Sequence, residues 1–320
     1  MAAELEKLGI EKVREAAERI APYVVRTPLL RYPLREDCEL LLKPESLQPT
    51  GAFKLRGAFN RMRQLPEGCP GVVAHSAGNH AMAVARAAAV LGIAEVIVMP
   101  SDAPLRKRDR TEADGAEVIV VGTDSVERAE RAEDLAEERC LVPVLPFDDP
   151  RIAAGPGTAA LELLEDAGAN DRFYAPRSGG GLMSGCAVVV NDLAPSAEIV
   201  GVEPEDANDT QLSLAAGERC KVPPPHTIAD GLRVRTPGAW TWTVLKELLS
   251  RVELVSDAEM LDAMGFALRE LRLVLEPSGA ASLALALREG RGRCGVLLSG
   301  GNVDDALLAQ VAGASRRSRD

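Results

Sequence analysis

Apolar residues recur at near-helical spacing through residues 4–20, where Leu5, Leu8, Val13, Ala16, Ala17 and Ile20 predict a helix. A short apolar run at 40–43 predicts a strand, and beyond residue 71 the pattern becomes regular. Strands at 72–75, 95–99, 116–121 and 141–145 alternate with helices at 80–91, 105–113 and 125–138. A second series follows from about residue 150, with helices at 157–164 and 182–193 between strands at 173–176 and 198–203. Past the loop marked by Pro223, Pro224 and Pro225, two helical stretches flank a strand at 252–255, and a last strand occupies 295–298. Alternation of this kind implies parallel βαβ units, so the expected fold is α/β, with two open parallel-sheet domains facing one another.

Composition narrows the function classes. The 320 residues are 46% apolar, enough for a large core in one big domain or two modest ones. A net charge of −11 argues against a nucleic-acid partner, which needs a basic footprint. The two basic clusters, Arg106 to Arg110 and Arg316 to Arg319, read as a solvated helix face and a frayed end. The apolar run 81–93 is broken by Arg86, so no membrane span is expected, and the opening Met-Ala-Ala-Glu-Leu-Glu-Lys lacks a signal-peptide pattern. A cytoplasmic location is therefore expected. Six scattered cysteines without a C-x-x-C pair predict reduced thiols rather than a zinc site or disulfide framework.

The candidate chemistry centres on Glu45-Ser-Leu-Gln-Pro-Thr-Gly-Ala-Phe-Lys-Leu-Arg-Gly-Ala-Phe59. With Thr50 as N-cap, Lys54 falls in the first turn of a helix, against the positive end of the macrodipole. Phe53, Leu55 and Phe59 add apolar surroundings, and both effects favour the neutral amine, a nucleophile and imine former. The alternative is a surface lysine lying along apolar neighbours.

Ligands of open parallel sheets gather at the carboxyl ends of strands, and three such ends here are rich in glycine and small polar residues. Ser76-Ala-Gly-Asn-His80 offers backbone amides and the Asn79 side chain to an anion or a ring oxygen; alternatively it is a plain turn with Gly78 at positive φ and Asn79 as cap. Ser178-Gly-Gly-Gly-Leu-Met-Ser-Gly185 places contiguous glycines at a helix start, where several N–H groups can converge on one phosphate. No Gly-Lys-Ser/Thr follows, so it is not a Walker A loop, although Gly179-x-Gly181-x-x-Ser184 with Glu203 downstream approximates a dinucleotide fingerprint. Ser299-Gly-Gly-Asn302 presents a hydroxyl for a buried heterocycle, or a helix cap before Asp304. An amine for an imine, an amide beside a ring hydroxyl, a phosphate cradle and a hydroxyl for a ring nitrogen together describe a pyridoxal 5′-phosphate site.

The chain resembles the tryptophan-synthase-β type (fold type II) of pyridoxal-phosphate enzyme, and within it the serine/threonine dehydratase and serine racemase family. The resemblance rests on Pro49 to Ala58, Ser76 to Ala81, Ala154-Gly-Pro-Gly-Thr158, Ser178 to Leu182, Glu276-Pro-Ser-Gly279 and Leu298 to Asn302. It implies a discontinuous large cofactor-binding domain, 1–60 and 149–320, and a small mobile domain, 61–148, with the cofactor between them. Lys54 then carries the cofactor, Phe53 packs by its ring and Asn79 bonds the ring oxygen. Gly179, Gly180, Gly181 and Leu182 bind the phosphate, and Ser299 faces the pyridine nitrogen. Ser76, Ala77, Gly78 and Asn79 form the seat of the substrate.

The implied activity is a dehydratase converting a 3-hydroxy amino acid, L-threonine or L-serine in the simplest case, to a 2-oxo acid and ammonia. Where eukaryotic-type serine racemases carry a second serine as proton donor, this chain has Ala77, which disfavours a racemase-type isomerase. Ala52 replaces another usual serine, and Arg177 stands where a small or aliphatic residue is usual. Arg177 reads either as a solvated loop residue or as a reader of an acidic substrate such as 3-hydroxyaspartate. Glu203, the Ala207 carbonyl and Asp209 match by spacing the family's divalent-cation site and suit Mg²⁺ or Ca²⁺; the alternative is a capped acidic turn starting a helix at Asn208. His80 reads as a helix-start residue, His226 as a loop residue and His75 as a candidate pocket residue. The resemblance also implies a homodimer.

Overall fold

The computed structural model describes residues 7–314 apart from 77, 104 and 124. Its strands are β1 (Leu30–Arg35), β2 (Cys38–Pro44), β3 (Val72–His75), β4 (Glu95–Pro100), β5 (Glu117–Val121) and β6 (Val142–Pro143), then β7 (Arg172–Pro176), β8 (Glu198–Pro204), β9 (Arg251–Val255) and β10 (Gly292–Leu298). The helices are α1 (Ile10–Ile20), α2 (Lys54–Met62), α3 (Asn79–Leu91), α4 (Leu105–Ala113), α5 (Ser125–Arg139) and α6 (Pro150–Ala167), then α7 (Gly181–Leu193), α8 (Asp209–Ala216), α9 (Ala239–Leu248), α10 (Asp257–Phe266), α11 (Pro277–Glu289) and α12 (Asp305–Gly313). Two sheets result. One has six strands in the order β1-β2-β10-β7-β8-β9, parallel except at the β1–β2 edge; the other has four, β5-β4-β3-β6, all parallel. Among the described residues no helix is long and apolar enough to cross a membrane.

The runs Val72 to Ala74 and Glu95 to Pro100 are buried along their length because helices cover both faces, which is why they read as continuous apolar stretches. Several element boundaries differ from the sequence pattern, four of them with a structural reason. The first helix begins at Ile10, leaving Leu8 outside it, and residues 1–6 lie outside the described residues. The expected strand 141–145 shrinks to β6 at the edge of the sheet, where Val142 N and Val144 N still donate to Gly71 O and Val73 O before the chain bends at Pro146; Pro143 is tolerated there because its missing N–H faces the open edge.

The helix expected at 157–164 is the eighteen-residue α6, capped by the Asp149 side chain, which accepts from Arg151 N at 2.7 Å, with Pro150 in the first turn. Its internal Gly155-Pro156-Gly157 reads as a breaker in one dimension. In three it is a contact surface, since a side chain on Gly155 would strike the Arg56 carbonyl and one on Gly157 would lie 2.9 Å from the Gly185 carbonyl. Thr50 is not the cap of α2, which starts after Phe53. Residues 51 and 52 instead pair with the end of β10: Gly301 N donates to Gly51 O at 2.9 Å and Ala52 bridges Gly300.

Beneath α2 lies a buried ion cluster. The Arg56 guanidinium donates to Glu45 from Nε (2.7 Å) and Nη2 (2.9 Å), and to Glu162 from Nη1 (2.7 Å) and Nη2 (2.9 Å). Lys43 Nζ lies 2.6 Å from Glu162 Oε2, and Thr27 Oγ1 donates to Glu45 at 2.8 Å.

Candidate active site

Lys54 is the first residue of α2, and its Nζ donates to the Pro146 carbonyl at 2.6 Å and lies 5.1 Å from the Phe53 ring centre. Desolvation lowers its pKa from 10.5 to about 8, so a substantial neutral fraction exists near physiological pH. A lone pair is what attack on an aldehyde requires. Reconstitution of apo-protein with pyridoxal 5′-phosphate is therefore expected to accelerate with pH through an apparent pKa near 8, read by stopped-flow absorbance. An inflection at the ordinary lysine value of 10.5 would contradict this environment.

The Lys54 segment is fastened to the loop after β10. Phe53 N donates to Ser299 O at 3.0 Å, and Asn302 Nδ2 donates to Thr50 O and to Asn79 Oδ1, each at 2.8 Å. Asn79 opens α3, and its Nδ2 donates to Glu276 Oε1 at 2.6 Å, so the amide is held at both ends. Glu276 is buried. Burial and the neighbouring Asp230 push its pKa up to about 7, against the opposing pull of Lys107 and Asn79, so a proton exchanges there near neutrality. Ser299 is buried too, its Oγ facing the Ser278 carbonyl at 3.4 Å; Asp304 stands at the N-cap of α12, which removes the cap role for Ser299.

The glycine loop ends at Gly181, the first residue of α7, whose first intrahelical bond shown is Ser184 N to Gly180 O at 2.8 Å. Amides earlier in that turn have no carbonyl one turn back to accept them, which leaves them to an anion. Gly180 has φ +104°, and a side chain there would lie 2.8 Å from Thr241. A side chain on Gly179 would collide with the Phe147 ring, so the loop packs this closely against Phe147 and Thr241 only because these positions are glycine. Pro146 and Phe147 thus join the two halves of the site, one accepting from Lys54 and the other covering the glycine loop. Lys54, Asn79, the glycines and Ser299 are linked through Pro146, Phe147, Asn302 and the Phe53 backbone, each following the carboxyl end of a strand.

The chain has counterparts among known proteins. The family profile described as pyridoxal-phosphate dependent enzyme matches residues 20–300. The chain belongs to that family. A pyridoxal-phosphate enzyme needs an amine for the cofactor aldehyde and a cradle for its phosphate, and desolvated Lys54 with the side-chain-free turn Gly179 to Gly181 fits both requirements. A serine racemase of Schizosaccharomyces pombe is 39% identical over 303 residues, 92% of this chain and 94% of the relative. An L-threo-3-hydroxyaspartate ammonia-lyase of Saccharomyces cerevisiae is 38% identical over 302 residues, 91% and 92% of the two chains. Among solved structures, maize serine racemase superposes with TM-score 0.90 at 38% identity, covering 95% of this chain and 97% of its own. A solved threonine deaminase, from T.th., superposes with TM-score 0.88 at 42% identity, covering 92% of this chain and 99% of its own.

Other residues singled out from the sequence fall in different places. Ser76 Oγ accepts from Gly78 N at 3.2 Å, Gly78 has φ −150° rather than a positive value, and Ala77 lies outside the described residues. His80 is buried against Val144 O at 2.8 Å, and burial, with the Lys54 charge, lowers its pKa to about 3, so it stays neutral. His75 is half-buried, with Arg128 and Glu133 of α5 as its charged neighbours.

Arg177 is neither solvated nor free for a substrate. Fully buried, its Nη1 donates to Glu203 Oε1 at 3.2 Å and to Asp209 Oδ2 at 2.7 Å. The donor set Glu203, Ala207 and Asp209 therefore does not fit Mg²⁺ or Ca²⁺, because a guanidinium already joins its two carboxylates. Glu203 also caps α8, accepting from Thr210 N and Gln211 N at 3.1 Å each, so the acidic turn is a capped helix start.

Sequence reasoning assigned no role to Phe147, Asp148 or Thr241, and passed over Glu276 although it stands in a quoted motif. Asp148 accepts from the first amides of α9 and Thr241 Oγ1 donates to Gly179 O at 2.7 Å, so both brace the glycine loop across long sequence separations.

Proposed function

We propose that this enzyme is a carbon–nitrogen lyase, an ammonia-lyase that converts a small 3-hydroxy amino acid, L-threonine or L-serine, to a 2-oxo acid and ammonia. The observation carrying the reading is the desolvated Lys54 amine, joined through Pro146 and Phe147 to the glycine turn and through Asn302 to the Asn79 to Glu276 pair. Bound pyridoxal 5′-phosphate supplies an electron sink that acidifies the substrate Cα–H. In this reading the amides from Gly179 to Leu182 would hold the phosphate, Phe53 would pack by the ring, Asn79 would bond the ring oxygen and Ser299 would face the pyridine nitrogen without protonating it. Amides and the hydroxyl of the Ser76 to Asn79 loop orient the substrate carboxylate. The Lys54 amine takes the Cα proton, and hydroxide leaves Cβ as water. Hydrolysis of the resulting imine at Cα consumes one water, equal to the one released, so each amino acid gives one 2-oxo acid and one ammonia. By the family resemblance, alanine at position 77 in place of a proton-donating serine favours elimination over racemisation.

Residues 61–148 are read as the unit that closes over the substrate. Its ties to the rest of the chain are an apolar cluster that joins Leu55, Phe59 and Ile152 to Val72, Ala81 and Val84, and polar bonds that include Lys107 to Asp230 at 2.8 Å and Arg110 to Asn302 at 3.3 Å. A homodimer and a cytoplasmic location belong to the same reading and rest on the family resemblance and the sequence pattern.

A second reading, 3-hydroxyaspartate as substrate, is favoured by Lys107. This side chain turns inward from the basic face of α4, and its ammonium lies 3.6 Å from where a side chain on Gly78 would begin. A substrate carboxylate arriving beside the Ser76 loop can replace Asp230 as its partner. Steady-state kinetics of L-threonine, L-serine and L-threo-3-hydroxyaspartate with wild type and Lys107→Met decide between the two. The first reading expects the neutral substrates to lead in kcat/KM and to be nearly indifferent to Lys107→Met. A preference for the acidic substrate that falls by roughly 10-fold or more in the variant would establish the second.

A further inference from the structure

The end of β7 carries a permanent cation into a pair of buried carboxylates. Arg177 continues the ladder, its N donating to Val202 O at 2.8 Å, and its side chain turns under β8 to meet Glu203 and Asp209. All three side chains are essentially inaccessible to solvent. Two carboxylates at such a place need a positive charge between them, because neither bulk water nor counterions reach them. A divalent ion meets that need in sites built from carboxylate and carbonyl oxygens at about 2.0–2.6 Å. Here Nη1 already spans Glu203 Oε1 and Asp209 Oδ2, and guanidinium does not deprotonate in proteins. A divalent ion placed between the same oxygens would meet that positive charge at contact distance in a low-dielectric setting.

We propose that Arg177 is a built-in substitute for a divalent cation, and that the protein binds no Mg²⁺ or Ca²⁺ between Glu203, the Ala207 carbonyl and Asp209. Its place in the chain gives the substitution a consequence. Arg177 immediately precedes Ser178 and the glycine turn, while Glu203 caps α8, so the guanidinium ties the cradle to the neighbouring strand and helix. That tie is covalently attached to the chain and is indifferent to the metal content of the solvent. Nε and Nη2 of the same guanidinium are buried without a protein acceptor, so the group is held by its charge on the two carboxylates rather than by a full set of hydrogen bonds.

The test uses metal content and thermal stability, which report the site independently of turnover. Wild type purified without chelator is expected to hold no stoichiometric Mg²⁺ or Ca²⁺ by elemental analysis, and its melting temperature and cofactor affinity are expected to be unmoved by EDTA or by added Mg²⁺ or Ca²⁺. Arg177→Ala removes the cation and vacates its volume. That variant is expected to melt lower than wild type and to recover on addition of Mg²⁺ or Ca²⁺, with no recovery from K⁺ at equal ionic strength. Arg177→Lys, which keeps a charge, is expected to remain metal-independent. A wild type that carries about one divalent ion per chain, or that loses stability in EDTA, overturns the proposal even if Arg177→Ala does not fold. A folded Arg177→Ala that ignores divalent ions also overturns it, since the guanidinium would then be an ordinary ion pair.

Discussion

Lys54→Ala is expected to lower turnover by at least about 10³-fold while leaving the apo-protein folded. The loss has two parts, the covalent anchor for the cofactor and the base at Cα, and the neighbouring His80 substitutes for neither. His80, which lies close enough to feel the Lys54 charge, is neutral and engaged with Val144 O. The stability of the variant follows from the direction of the Lys54 shift. Its folded pKa lies below its unfolded value, so at pH 7, below both, the folded state bears the full cost of a desolvated ammonium. Alanine removes that cost together with the bond to Pro146 O, and the apo variant is expected to melt no lower than apo wild type at pH 7. Visible absorbance of lysine-bound cofactor checks the first part and calorimetry the second. An active Lys54→Ala, or one that unfolds, contradicts the assignment of this lysine.

Arg56→Met has the largest expected effect on stability, a loss of about 3–5 kcal/mol. Methionine fills much of the volume but leaves Glu45 and Glu162 facing each other without the guanidinium that each now binds twice. In wild type the cluster holds Glu45 below its usual pKa even though burial acts the other way, so its contribution is present above the unfolded value and lost as pH falls. In the variant an unpaired buried carboxylate shifts upward, and its penalty fades as it protonates. The gap between wild type and Arg56→Met is therefore expected to narrow from pH 7 to pH 5 in urea titrations, and adding Glu45→Gln is expected to recover part of the loss. A gap that stays constant with pH would assign the effect to packing alone.

Much of the site was legible because its parts are local. Contiguous glycines after β7, the lysine at the start of α2 and the serine after β10 each follow a strand end, and the parallel fold that brings strand ends together is written in the alternating pattern. What the sequence hid depends on contacts distant in the chain. Gly155, Pro156 and Gly157 suggest a break until α2 and α7 are seen pressed against them. Arg177 sits in a loop pattern that usually means solvent, and only the fold reveals Glu203 and Asp209 waiting for it. Thr50 has the chemistry of a helix cap, yet its segment is drawn into pairing with Gly300 and Gly301. Phe147 and Asp148 follow the two-residue β6, where nothing nearby in sequence marks them as supports of the glycine loop.

The most direct test of the account is a time course of ammonia and 2-oxo acid released from L-threonine and L-serine by purified enzyme loaded with pyridoxal 5′-phosphate. The account predicts that the two products appear in equal amounts from at least one of these substrates and that neither appears with Lys54→Ala. Cofactor bound at Lys54 with no ammonia released from either substrate, or the enantiomer formed in place of a 2-oxo acid, would contradict it.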